Sequence, residues 1–145
     1  MIDAALRLDD VACVRGGRML FRGVHLTLAP GNGAMLTGPN GVGKSSLLRL
    51  CAGLLPAFTG SVARSGGVAL CDEKLALDSD ATLHKALSFW AAIDKADPAQ
   101  VDAAIDVMAL GPLACVPVRM LSTGQRKRAM LARTIASGAA IWLLD

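Results

Sequence analysis

The chain has 145 residues, 53% of them hydrophobic and 19% charged, with a net charge of +3. That balance suits one globular domain with an apolar core and excludes a disordered chain. No apolar run approaches the roughly 18 residues a bilayer-spanning helix needs, and with 3% aromatics and no tyrosine the core must be Leu, Val, Ala and Met.

Residues 6–14 and 19–28 read as two strands joined by an Arg15-Gly16-Gly17 turn. In the second, Val24, Leu26 and Leu28 alternate with His25 and Thr27, which places His25 outward. Pro30-Gly31-Asn32-Gly33 is a further turn, and Ala34 to Thr37 reads as a short apolar strand. From Ser45 the spacing of Leu47, Leu48, Leu50, Cys51 and Leu54 is helical, ending near Gly53 and Pro56. Residues 57–66 read as loop and Val68 to Cys71 as a buried strand. Residues 82–93 and 98–110 read as helices, the second started by Asp97-Pro98 and ended by Gly111-Pro112. His84 falls in the first as a polar surface position. After Pro117 a loop leads to Ser122, then a helix over 124–137 and a last strand, Ala140 to Leu144, that runs into Asp145.

Cys13, Cys51, Cys71 and Cys115 are scattered, with no CxxC or Cys/His pairing, and read as free thiols rather than metal ligands or disulfides. The opening MIDAALRLDD lacks the basic-then-apolar pattern of a signal peptide, so the default compartment is the cytoplasm. Between Asp106 and Asp145 there is no acidic residue, while Arg119, Arg126, Lys127, Arg128 and Arg133 fall inside the gap. Two readings of that asymmetry stand: a phosphate-rich or nucleic-acid ligand, or a solvated helix face.

The strongest motif is Gly38-Pro39-Asn40-Gly41-Val42-Gly43-Lys44-Ser45, with Ser46 following. It fits the phosphate-binding loop GxxxxGK[ST], in the required setting of strand before and helix after. Glycines let backbone amides curl around a phosphate, Lys44 brings a mobile positive charge, and the Ser45 hydroxyl suits Mg²⁺. The following helix adds its own amides and the positive end of its dipole. Nucleotide binding follows, with Mg²⁺ as its expected metal; ATP as the nucleotide is what the family resemblance below implies.

Leu121-Ser122-Thr123-Gly124-Gln125 precedes the basic helix RKRAMLARTIA and the strand IWLLD. This resembles the LSGGQ signature of ATP-binding cassette (ABC) proteins, and the order of motifs matches that family over essentially the whole chain. Ser122 lies 78 residues after Lys44, a compact insert for the family. The resemblance implies an α/β P-loop NTPase fold, an ABC-type nucleotide-binding domain with an antiparallel β edge and a helical subdomain, incomplete at the C-terminus. The expected layout is a β edge and P-loop core over 1–78, a helical subdomain over 79–137, and a Walker B strand over 138–145. It further implies that Ser122 and Gly124 meet, in trans, the γ-phosphate bound by a second ABC subunit in a head-to-tail dimer. Asp145 becomes the Walker B aspartate, holding Mg²⁺ together with Ser45.

The sequence departs from the family in three places. Arg15 stands where an aromatic commonly stacks on adenine, although a guanidinium can also stack on a base. Glu73 or Lys74 occupies the place of the glutamine that reports on the γ-phosphate. The glutamate normally following the Walker B aspartate does not occur, Glu73 being the only glutamate, and the D-loop and switch histidine are missing as well. Residues 1–145 are therefore expected to bind nucleotide and to hydrolyse little or none alone.

More narrowly, LFRGVHLTL, GPNGVGKSSLLRLCAGLL, the short insert reaching LSFW, and LSTGQRKRAMLAR resemble the ATP-binding subunits of haem exporters in cytochrome c biogenesis. That resemblance implies an ABC-type ATPase at the cytoplasmic face of the cell inner membrane, working with membrane permease subunits. Alternatives are the ATPase of another ABC transporter, a non-catalytic remnant, and a soluble ABC protein acting on nucleic acid. Only the basic run supports the last.

Overall fold

A computed structural model describes residues 5–72 and 74–145. Glu73, one of the two residues at the missing-glutamine position, and the first four residues of the opening segment lie outside the described residues. The chain forms two compact units, one running to Leu70 and taking up Ala140–Asp145, the other Cys71–Ala139.

In the first unit β1 (Leu6–Arg15) and β2 (Arg18–Leu28) form an antiparallel hairpin. Gly16 and Gly17 turn it with φ of 56° and 75°, left-handed values that a two-residue hairpin turn matched to strand twist requires. Leu6, Leu8, Val11 and Cys13 of β1 face the core. Helix α1 (Lys44–Cys51) adds Leu50 and Cys51 to the same cluster. Strand β3 (Thr59–Arg64) covers the other edge of β1, giving the order β2-β1-β3. Strand β4 (Val68–Cys71) pairs with β5 (Ile141–Leu144), whose Ile141 and Leu143 turn inward while Trp142 and Leu144 stay exposed.

Two segments differ from expectation. Residues 59–64, read as loop, are a strand, because β1 offers them a free edge. Their sequence TGSVAR carries one half-buried apolar side chain, Val62, too little for an alternating signal. Conversely, Ala34 to Thr37 has no ladder to any strand among the described residues and Met35 is 87% exposed, so apolar character alone does not make it a strand.

The second unit is helical: α2 (Leu83–Ile93), α3 (Ala99–Val107) and α4 (Thr123–Ala136), with 3-10 turns at Gly111–Leu113 and Val118–Met120. Its core pairs large residues such as Leu83, Leu87, Leu110 and Val118 with Ala86, Ala104, Ala129 and Ala132, whose small side chains let the helices approach closely. Thr82 caps α2 by accepting from the Lys85 amide, and His84 of α2 meets Asp102 of α3 at 3.0 Å. Helix α3 stops at Val107, short of the expected residue 110, because Ala109 turns left-handed at φ 53° without a glycine to signal it. No helix among the described residues is long and apolar enough to cross a membrane.

The β1–β3 pairing depends on one close approach. The ladder is irregular between Asp9 and Ala12, where Asp10 sits at φ 48°. Gly60 of β3 has φ 80°, and a Cβ there would run into the Asp10 carbonyl oxygen. Gly60→Ala should therefore cost about 2 kcal/mol or more, from the left-handed backbone with the backbone clash added. Urea unfolding is the check; a midpoint equal to wild type would contradict it.

Candidate nucleotide site and signature helix

The phosphate loop spans residues 38–45 in the first unit. Gly38, Gly41 and Gly43 have φ of 149°, 82° and 114°, so three of its positions use backbone that side-chain-bearing residues rarely adopt. Asn40 and Gly41 form the turn, and the Val42 amide reaches back to the Pro39 carbonyl at 3.4 Å. Gly43 is the N-cap of α1 and has no side chain to occupy the amides that follow. With no acidic residue in the first turn either, the N-terminal amides of Lys44, Ser45 and Ser46 and the positive dipole end stay available to an anion. Lys44 Nζ donates to the Gly38 and Pro39 carbonyls, which folds its charge back over the loop.

The other end of α1 is tied down. Gly53 turns left-handed at φ 81°, and the Leu54 amide bonds the Arg49 carbonyl at 2.9 Å. Arg64, arriving from β3, donates Nε to the Cys51 carbonyl and Nη2 to the Leu50 carbonyl at 3.0 Å. A cation on the last carbonyls opposes the negative dipole end. Sequence reasoning missed Arg64, because its strand carried no signal.

The Ser45 hydroxyl donates to Asp145 Oδ1 at 3.0 Å, across 100 residues of sequence. Alternation along β5 sends Ile141 and Leu143 into the core beside Leu50 and Cys51, and the carboxylate emerges at the strand's end next to α1. A hydroxyl and a carboxylate at this spacing are hard oxygen donors. They fit Mg²⁺, which takes one or two protein oxygens and completes its shell with water and phosphate. Among the described residues no group of three or more His, Cys, Asp or Glu is arranged to hold a metal. Burial pushes the Cys51 thiol up from its ordinary pKa against the pull of Arg64, and burial likewise raises Cys71, against the Thr134 hydroxyl. Both thiols are thus protonated near neutrality. Arg15, at the position expected to stack on a base, is exposed at the hairpin end of β1. Lys74 is exposed, its amide held by Asp72 Oδ1 at 3.1 Å.

In the second unit Leu121 is buried and anchors the signature, while Ser122, Thr123 and Gly124 are exposed. Ser122 Oγ accepts from the Gln125 amide at 3.3 Å, and Gln125 Oε1 accepts from the Ser122 amide at 2.8 Å. Serine and glutamine thus form a reciprocal capping box at the start of α4. Nothing lies within 4 Å of where a Gly124 Cβ would stand, so the helix end is open to solvent there. The basic run that follows is largely committed within its own unit. Arg126 donates to the carbonyls of Leu121 and Arg119, and Arg128 to those of Met108 and Ala109. Arg133 lies 4.0 Å from the Trp90 ring centroid, whose indole N–H donates to the Ala76 carbonyl.

A family model described as "ABC transporter" matches residues 21–145. Among curated relatives, the cytochrome c biogenesis ATP-binding export protein CcmA of Sphingopyxis alaskensis is 57% identical over 140 residues, covering 97% of this chain and 72% of the relative. The protein of the same name from Zymomonas mobilis is 53% identical over 143 residues, covering 99% and 64%. Among solved structures, cbiO1 from Clostridium perfringens, part of the ABC transporter complex cbiONQ, superposes with a TM-score of 0.85 at 22% identity, over 99% of this chain and 65% of that one. The chain therefore spans 64–72% of the length of these two curated relatives.

The capping box separates two roles that one serine could carry. Ser122→Ala should lower stability by about 1 kcal/mol through the lost cap. Gly124→Ala, with open space around it and no left-handed φ, should stay within about 0.5 kcal/mol of wild type. Urea denaturation of both variants checks this. For the thiols, a maleimide reagent at neutral pH should modify exposed Cys115 first and leave buried Cys13 and Cys51 untouched until unfolding, as mass spectrometry would read.

Proposed function

This chain belongs to the ABC transporter family, and on that premise we propose that it is the ATP-binding and ATP-hydrolysing subunit of a haem exporter serving cytochrome c maturation. The single observation that carries the nucleotide chemistry is the Ser45–Asp145 contact at 3.0 Å beside the uncapped start of α1. The haem-export reading rests on the identity to relatives bearing the CcmA name.

In this reading the amides of Gly41 to Ser46 cradle the β- and γ-phosphates, and Lys44 swings from its carbonyl partners onto their oxygens. Gly38, Pro39 and Asn40 shape the loop. Ser45 and Asp145 would hold Mg²⁺, which when bound neutralises charge on the phosphate oxygens. Leu121 anchors the signature, and the open end of α4 at Ser122, Thr123 and Gly124 offers amides to a γ-phosphate held by a second copy. Gln125 fixes that end through the capping box instead of touching the phosphate. Head-to-tail pairing of two ATP-binding subunits follows, with CcmB- and CcmC-like permease subunits as membrane partners at the cytoplasmic face of the inner membrane. Nucleic acid is disfavoured as a partner, because Arg126, Arg128 and Arg133 are engaged within their own unit.

Binding of ATP to the 145-residue protein, followed by calorimetry, tests the site. Lys44→Ala should weaken binding at least about tenfold. Asp145→Asn should remove most of the affinity gained on adding Mg²⁺ and leave metal-free binding within about twofold. Undiminished ATP binding by Lys44→Ala would sink the reading. ATP-dependent dimerisation, followed by sedimentation, should be lost in Gly124→Asp, whose added carboxylate repels a phosphate.

A further inference from the structure

The pairing of β1 with β2 slips near the hairpin. Cys13 faces Phe21 and the next β1 residue, Val14, faces Met19, so Leu20 is an extra residue on β2. Such a bulge breaks the alternation of side chains and re-aims them. Here two consecutive residues, Leu20 and Phe21, are both half-buried and both reach the same atom group of the phosphate loop. A Cβ on Gly43 would stand 3.0 Å from Phe21 Cδ1, 3.3 Å from Cε1 and 3.5 Å from Leu20 Cβ. Gly43 is the N-cap of α1 at φ 114° and ψ 16°, the hinge that aims the amides of Lys44 and Ser45.

We propose that Phe21, turned by the Leu20 bulge, is a positioning residue of the phosphate loop. Its ring closes off the side of Gly43 and holds that glycine in the left-handed conformation that anion binding uses. A loop rich in glycine has many backbone states to lose, so a rigid wall on one side restricts it before the ligand arrives. Phe21 is aromatic, yet it acts on the phosphate end of the ligand and not on a base. The inference rests on the phosphate loop binding a nucleotide.

The experiment compares ATP with inorganic tripolyphosphate, which has no base, each with Mg²⁺, on wild type, Phe21→Ala and Phe21→Leu. Phe21→Ala should weaken both ligands by the same factor, about tenfold, since a misaimed loop loses both equally. Phe21→Leu should recover most of the loss. Hydrogen exchange without ligand should accelerate at the amides of residues 41–46 in Phe21→Ala and stay unchanged along Leu6–Val11 of β1, which separates a loosened loop from a loosened unit. Loss of ATP affinity with tripolyphosphate binding intact would make Phe21 a base contact and overturn the proposal. Equal affinities, or unaltered exchange at 41–46, would overturn it too. If wild type binds neither ligand, the nucleotide reading itself has failed, while the exchange at 41–46 still decides whether Phe21 holds the loop.

Discussion

The hydrogen bond between Ser45 and Asp145 is the contact that the core of the first unit makes possible. It can form only if the end of β5 and the start of α1 share one wall of a core. Ile141 and Leu143 on β5, and Leu50 and Cys51 on α1, supply that wall. Each of the three leucine and isoleucine side chains contributes about 1.5–3 kcal/mol by leaving water, so apolar burial sets the spacing of two exposed oxygens. The polar pair itself adds little to stability at an exposed position. Its value is chemical, because it presents two hard donors where a phosphate-binding helix begins.

Helix α1 is polarised by its surroundings. Its N-terminus has no side-chain cap and no acidic residue in its own first turn, whereas its C-terminus is closed by Gly53 and by the guanidinium of Arg64. Helices usually satisfy both ends, and an end left open costs free energy unless water or a ligand meets it. Only the end that faces the phosphate loop is left open here. Arg64 reaches the other end because β3 lies along β1, and β3 lies there because Gly60 tolerates the Asp10 carbonyl.

The signature segment follows a different logic. Ser122 and Gln125 satisfy one another at the start of α4, which makes the helix end a self-sufficient structural feature. Gly124 adds nothing to that cap and leaves the amides unobstructed. On charge alone the basic residues that follow fit either a phosphate-rich or nucleic-acid ligand or a solvated helix face. The structure instead uses Arg126 and Arg128 to satisfy backbone carbonyls in the turns around Arg119, Leu121, Met108 and Ala109, and Arg133 to cover Trp90.

What the sequence by itself determined is what neighbours along the chain decide. The Gly16-Gly17 hairpin, the glycine pattern of residues 38–43, the Ser122–Gln125 cap and the apolar periods of α1, α2 and α4 all act over a few residues, where local hydrogen bonding and side-chain period leave a readable trace. The tertiary structure decided the rest. TGSVAR became a strand and Ala34 to Thr37 did not, because a ladder needs a partner and the partner is distant in sequence. The meeting of Ser45 with Asp145, which the family resemblance but no local pattern anticipated, the capping of α1 by Arg64 and the approach of Phe21 to Gly43 join residues 100, 13 to 14 and 22 positions apart. No local pattern encodes such pairs; they exist because burying Leu6, Leu8, Val11, Leu50, Ile141 and Leu143 in one cluster brings those segments together.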